Sequence, residues 1–312
     1  MVPWGYLAVI LTLGLLIAVT GGRDRRSPPG NLISGSRQAV PAGEPAATEH
    51  VAVGDIQIAY REWGRGEPLL LITGFGATID IWDPELVNEL AAHYRVIAFD
   101  NRGMGGSTAP AVDYSIEQLA DDTAGLMGAL GVERAHVLGY SMGGYVAQEL
   151  VLGHPERVTR LVLMGTGCGD GEGIAPRAEV LQALSDMSGS IDEIIQRVTS
   201  VLVPDDWARS HGAYLRSILL RPPAAPSPES LARQRRAMDT WPGTCERLPE
   251  VRTPALVLSG TADEVLVPAN AIILVNRIPG AWLAQFRDGG HGMQYQYPKQ
   301  IAATIHAFLQ AP

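Results

Sequence analysis

Ala135-His136-Val137-Leu138-Gly139-Tyr140-Ser141-Met142-Gly143-Gly144 decides the fold. Ala135–Leu138 reads as a buried strand, and Met142–Leu152 reads as a helix. Between them, Gly139-Tyr140-Ser141-Met142-Gly143 puts a serine on the turn. A serine hydroxyl is a poor nucleophile until a base takes its proton. A sharp strand-to-helix turn lifts the hydroxyl clear of the backbone, and geometry that tight needs small residues on both flanks. Gly139 and Gly143 supply them, and Gly144 relieves further crowding. The helix N-terminus adds unpaired N–H groups that favour developing negative charge. A lone Gly-x-Ser-x-Gly is a weak signal. Set between a buried strand and a helix, it marks Ser141 as the predicted nucleophile.

Working outward, short β-rich runs alternate with helical ones. Val51–Val53 and Ile56–Tyr60 read as two strands joined at Gly54-Asp55. Leu69–Ile72 is a continuous apolar run, as in a strand covered on both faces. Arg95–Phe99, Leu161–Met164, Ala255–Leu258 and Trp282–Phe286 read as further strands. Helices are predicted around Trp82–His93, over Ser115–Leu130, and from about Gln300 to Leu309. Such alternation implies a mostly parallel sheet with helices on both faces, and a hairpin at one edge is compatible with it. Residues 171–247 break the rhythm. They show no clear buried strand, but helical segments near 178–187, 191–202, 211–220 and 230–239, punctuated by Pro222-Pro223 and Pro226. This stretch reads as a helical cap inserted over the sheet, leaving residues 49–170 and 248–312 as the α/β core.

The base for Ser141 should be a later histidine, with the acid between them, because this kind of turn goes with the order Ser, acid, His. His291 lies in Gly289-Gly290-His291-Gly292, just after the last predicted strand, where flanking glycines let the ring reach across the sheet top. Asp263 follows strand Ala255–Leu258, at a strand's carboxyl end, where open α/β sheets place their sites. Its role would be to hold the His291 tautomer. Glu264 is the near rival, and Asp170 a more distant one. Two N–H donors must face the oxyanion of a tetrahedral intermediate. Met142, next to the nucleophile, supplies one. Phe75, in Thr73-Gly74-Phe75-Gly76-Ala77 after strand Leu69–Ile72, supplies the other. Tyr140 and Trp241 are the candidate substrate contacts.

Bulk properties narrow the field. The 312 residues are 46% apolar, enough for a sizeable core, and a net charge of −9 without a basic block argues against nucleic-acid binding. Cys168 and Cys245 have no metal-ligand spacing and read as two buried or half-buried free thiols. A disulfide would need an oxidising compartment and fitting geometry, and the sequence shows neither. Residues 1–22 carry no charged side chain and are long enough to span a bilayer, which needs about 20 residues. Arg23-Asp24-Arg25-Arg26 follows. We read residues 1–22 as a membrane anchor. A cleaved signal peptide is the competitor, though it lacks a basic n-region. The arginines would hold the body on the cytoplasmic side. Residues 23–48, rich in Pro, Gly, Ser and Ala, read as a flexible linker.

These residues together resemble the α/β-hydrolase superfamily, in particular its esterase, lactonase and C–C hydrolase branch with a serine nucleophile. Thr73–Gly76 resembles the oxyanion loop, Asp100-Asn101-Arg102-Gly103-Met104-Gly105-Gly106-Ser107 the Arg-Gly loop, and Gly139–Gly144 the nucleophile elbow. Pro254–Asp263 and Gly289–Gly292 resemble the acid and base loops. The chain departs from many relatives in having Thr73-Gly74 for His-Gly. The resemblance implies an eight-stranded, mostly parallel sheet, and neither metal nor organic cofactor. Asp100 and Arg102 are expected to be structural. The expected function is cleavage of a carboxylic ester or lactone through an acyl-enzyme, on a small molecule that the anchor suggests is apolar. A cofactor-free haloperoxidase or perhydrolase, or a C–C bond hydrolase, would use the same triad. A catalytically inactive membrane-tethered binding module is the reading from a different class. The fold hosts many activities, so it cannot name the substrate.

Overall fold

The computed structural model describes residues 47–169, 171–186, 188–220 and 226–312. The chain opens on a hairpin, β1 (Glu49–Val53) against β2 (Ile56–Trp63), with Val51 opposite Ile58. It continues through β3 (Pro68–Ile72), α1 (Pro84–Ala91), β4 (Arg95–Phe99), α2 (Ile116–Ala129), β5 (Ala135–Tyr140), α3 (Met142–Gly153) and β6 (Val158–Met164). After the 171–247 segment come β7 (Ala255–Gly260), α8 (Pro268–Arg277), β8 (Trp282–Phe286), a short α9 (Met293–Gln296) and α10 (Pro298–Leu309). The eight strands form one sheet in the order β1-β2-β4-β3-β5-β6-β7-β8. β2 meets β1 and β4 antiparallel, and every later pairing is parallel.

The apolar runs of the central strands are continuous because both sheet faces are covered. Leu70 and Ile72 point into one core cluster, with α2, α3 and α8; Leu69 and Leu71 point into the other, with α1 and α10. Fully burying such a side chain stabilises the fold by roughly 1.5–3 kcal/mol. Helix ends are set locally. Asp83 accepts from the N–H groups of Glu85 and Leu86 to start α1, and Ser115 accepts from Gln118 N–H to start α2. From β3 the chain steps to β4 on one side, then returns to place β5 on the other. Open α/β sheets bind ligands outside the strand ends at such a reversal.

Between β6 and β7 lie α4 (Ala178–Ser185), α5 (Ile191–Leu202), α6 (Asp205–Leu219) and α7 (Pro228–Asp239). α6 is longer than the periodicity predicted, and kinks at His211. Cys168 and Cys245, expected as free thiols, are joined in a disulfide with Cα atoms 5.0 Å apart. The segment leaves and rejoins the core at neighbouring points, which brings the two cysteines together across a separation of 77 residues.

The membrane expectation is corrected. Among the described residues, no helix is long and apolar enough to cross a membrane. The anchor over residues 1–22, and the linker as far as residue 46, lie outside the described residues. A disulfide is rare in a reducing cytosol, so the cytoplasmic body also loses its support.

Candidate active site

Ser141 sits between β5 and α3 with φ 56° and ψ −124°. Positive φ is uncommon outside glycine and is strained. The neighbouring chain holds it there: Ser141 N–H donates to Met164 O at 3.0 Å, and Thr166 Oγ1 and Gly144 N–H both donate to Ser141 O at 2.8 Å. The flanking glycines are required by close approach. A Cβ on Gly139 would lie 2.3 Å from Gly143 O, and one on Gly143 2.2 Å from Ile72 O.

The structure brings the three predicted catalytic residues together from three strand ends. His291 Nε2 is 3.1 Å from Ser141 Oγ, and His291 Nδ1 is 2.9 Å from Asp263 Oδ2. Both His291 and Asp263 are buried. The other Asp263 oxygen accepts from Val265 N–H and Leu266 N–H, each at 2.8 Å, which fixes the carboxylate and leaves Oδ2 for the imidazole. Glu264 faces outward onto Arg177 at 3.0 Å. Asp170 lies outside the described residues.

Loop 73–77 passes directly against the serine: a Cβ on Gly74 would be 3.1 Å from Ser141 Cβ. Phe75 and Met142, the predicted amide donors, flank Ser141 from this loop and from the first residue of α3, with both side chains buried in the same core cluster. Asn101 Nδ2 donates to Thr73 O at 3.3 Å and to Thr73 Oγ1 at 3.2 Å, tying the loop to the Arg-Gly segment.

The Arg-Gly segment is structural, as expected. Asp100 accepts from Ile79 N–H and Gly106 N–H, and Arg102 forms a two-pronged pair with Asp122 at 2.7 Å. Burial pushes the Asp100 carboxyl up to about 6, against the pull of those two N–H groups.

Tyr140 and Trp241 part company. The Tyr140 ring lines the cavity at Ser141 and lies 5.2 Å from the His291 ring, but its hydroxyl donates to His291 O at 3.0 Å. Burial raises the Tyr140 hydroxyl well above its ordinary range. Tyr140 therefore also braces the base loop. Trp241 does not line the cavity. Its ring stacks at 4.4 Å on Tyr145, which does, and its Nε1 donates to Glu149 at 2.7 Å. The turn after α7 leaves Trp241 one layer behind the site.

Two contacts from the 171–247 segment were not anticipated. Gly76 N–H donates to Gln234 Oε1 at 2.5 Å, so a side chain of α7 holds the loop that carries Phe75. Gln234 is fully buried. It shares one helix face with Leu231 and Met238, and a lone amide on an apolar stripe is the signal that could have found it. On the other side, Gly292 N–H donates to Leu202 O, at the end of α5, at 2.7 Å. A Cβ on Gly290 would lie 2.2 Å from that same carbonyl, so the glycines around His291 serve the docking of α5 as well as the reach of the ring.

The chain belongs to the α/β-hydrolase fold family, whose model matches residues 67–298. It is 31% identical over 246 residues to a protein of Caulobacter sp. (strain K31) named as a carbamate hydrolase RutD, covering 78% of this chain and 90% of that one. A protein of Synechocystis sp. named as a non-heme chloroperoxidase is 28% identical over 273 residues, covering 82% of this chain and 95% of the other. The crystal structure of an enol-lactonase from Burkholderia xenovorans LB400 superposes with a TM-score of 0.73 at 28% identity, covering 84% of this chain and all of that one. The carbamate hydrolase and the enol-lactonase carry hydrolase names, and this chain is an enzyme of that fold.

Proposed function

We propose that the protein is a serine hydrolase cleaving a carboxylic ester or lactone through an acyl-enzyme. The observation that carries the reading is the unbroken relay Ser141–His291–Asp263, at 3.1 and 2.9 Å, beside the glycine-rich loop 73–77. His291 Nε2 takes the Ser141 hydroxyl proton as Oγ attacks the carbonyl carbon. The N–H groups of Phe75 and Met142 receive the oxyanion, aided by the N-terminus of α3. Collapse expels the alcohol, which takes the proton from His291. Water, deprotonated by His291, then attacks the acyl carbon and frees Ser141. Asp263 holds the tautomer and stabilises the imidazolium throughout. Residues 171–247 act as a cap over this site. Ser141→Ala should abolish hydrolysis of p-nitrophenyl acetate and labelling by a fluorophosphonate in folded protein. Full activity in that variant would refute the assignment.

One other reading is favoured by a specific observation, the likeness to a protein named as a chloroperoxidase. A perhydrolase would use the same triad, with hydrogen peroxide replacing water at the acyl-enzyme. Peracid formation measured beside ester cleavage separates the two.

A further inference from the structure

The acyl group that stays on Ser141 must fit beneath the cap until water removes it. The space at the serine is small. The cavity lined by Ser141, Phe75 and His291 measures about 30 Å³. A single water needs at least about 10–15 Å³ of such space, so the cavity admits about two or three water-sized groups. Ligand pockets for larger molecules run to roughly 300–1,000 Å³. Larger hollows do exist in the molecule: one of about 420 Å³ between α5 and α6, another of about 410 Å³ between α6 and the start of α1. Neither includes a residue of the triad.

The walls are apolar and uncharged. Leu202 closes the cavity from the end of α5, Met238 from α7, and Leu266 from the acid loop. Leu202 and Leu266 are buried; Met238 is half-buried and bridges two apolar clusters. Among the described residues that line the cavity there is no Arg, Lys, Asp or Glu. The hydroxyls of Tyr140 and Tyr295 already donate to His291 O and Ile81 O. A carboxylate on the acyl chain would thus be buried without a counter-ion, which is strongly unfavourable.

We propose that the enzyme takes esters of short, uncharged acyl groups, with Leu202, Met238 and Leu266 setting the length limit. The proposal rests on the serine-hydrolase reading. It limits the group retained on the serine to about two or three water-sized units, the scale of a short acyl group such as acetyl or butyryl. The substrate class is therefore a small neutral acyl ester, rather than a long-chain lipid or a dicarboxylic half-ester.

The test is a kcat/KM panel of p-nitrophenyl acetate, butyrate, octanoate and hydrogen succinate on the full chain, with Met238→Ala and Leu202→Ala beside it. A small fluorophosphonate reports independently on the nucleophile. Acetate and butyrate should exceed octanoate by at least about 10-fold, since each misfitting methylene in a pocket counts for about that or more. Butyrate should exceed hydrogen succinate by about 100-fold. Both variants should raise octanoate relative to acetate by about 10-fold. Octanoate matching butyrate in the unaltered enzyme, or hydrogen succinate within a few-fold of butyrate, overturns the inference and leaves the hydrolase reading standing. No cleavage of any ester, with no fluorophosphonate labelling, overturns the hydrolase reading and this inference with it. The unaltered enzyme's panel decides the matter even where a variant folds poorly.

Discussion

Replacing Gln234 tests whether the cap is part of the catalytic machinery. Gln234 Oε1 accepts from Gly76 N–H, next to Phe75 and one loop away from Ser141. Gln234→Met keeps the length of the side chain and its place on the apolar stripe but removes the acceptor. The Gly76 N–H is then left buried and unpaired, a cost of about 1–3 kcal/mol. The loop can relieve that cost by turning the peptide, which moves the Phe75 amide away from the oxyanion. Complete loss of one such donor lowers kcat by about 10²–10³-fold, which sets the ceiling. The displacement energy of about 1–3 kcal/mol corresponds to roughly 5- to 150-fold, so a fall in kcat of about 5- to 100-fold is expected. The oxyanion forms only in the transition state, so KM should stay within about two-fold. Steady-state kinetics on p-nitrophenyl acetate, with a thermal melt of the same sample, separates the effect from unfolding. If Gln234→Met folds normally and keeps its kcat within about two-fold of the parent, the loop does not depend on Gln234 and the reasoning fails.

Two other predictions follow from burial and covalent linkage. Cys168→Ser with Cys245→Ser opens a link across 77 residues; the chain-entropy picture gives a loss near 4.5 kcal/mol, and measured losses for such bonds run at about 2–4 kcal/mol, so urea unfolding should show a clear drop, while an unchanged midpoint would mean that the bond does not constrain the unfolded chain. His136 is held below its ordinary value of 6.5, chiefly by burial and against the pull of Glu67 at 3.2 Å. Its contribution to stability should be complete above pH 6.5 and fade as the pH falls below it, because the unfolded chain then binds a proton that the folded one resists. A urea midpoint that falls less with acid in His136→Gln than in the parent supports this, and an identical slope refutes it.

The parts of the fold that could be read in advance are those carried by local pattern. Leu69–Ile72 is uniformly apolar because both its faces are covered, and that shows in the letters themselves. The elbow is legible because Gly139 and Gly143 meet backbone at distances no Cβ could tolerate. Asp263 and His291 follow from strand ends and from chain order. What could not be read depends on where separate segments meet. The Cys168–Cys245 pairing needs the two ends of the inserted segment to converge, and nothing in the sequence between positions 77 apart states that they do. Trp241, expected at the substrate, is kept from it by Tyr145, which packs between. Gln234 matters through a contact across 158 positions.

These contacts change what a cap means in this molecule. A lid that swings freely would touch the catalytic loops little when open and would leave their geometry alone. Here α7 holds loop 73–77 through Gln234, α5 holds loop 289–292 through Leu202 O, and the disulfide ties the two ends of the segment together. The same two helices carry Met238 and Leu202, which wall the cavity. Met238 stands one helical turn from Gln234, and the Leu202 side chain springs from the residue whose carbonyl engages Gly292. On the proposed function, choice of substrate and alignment of the catalytic groups are built into the same two elements. A change that enlarges the cavity by moving α5 or α7 bodily should disturb kcat along with selectivity. A change that trims a side chain and leaves the helix in place should alter selectivity alone.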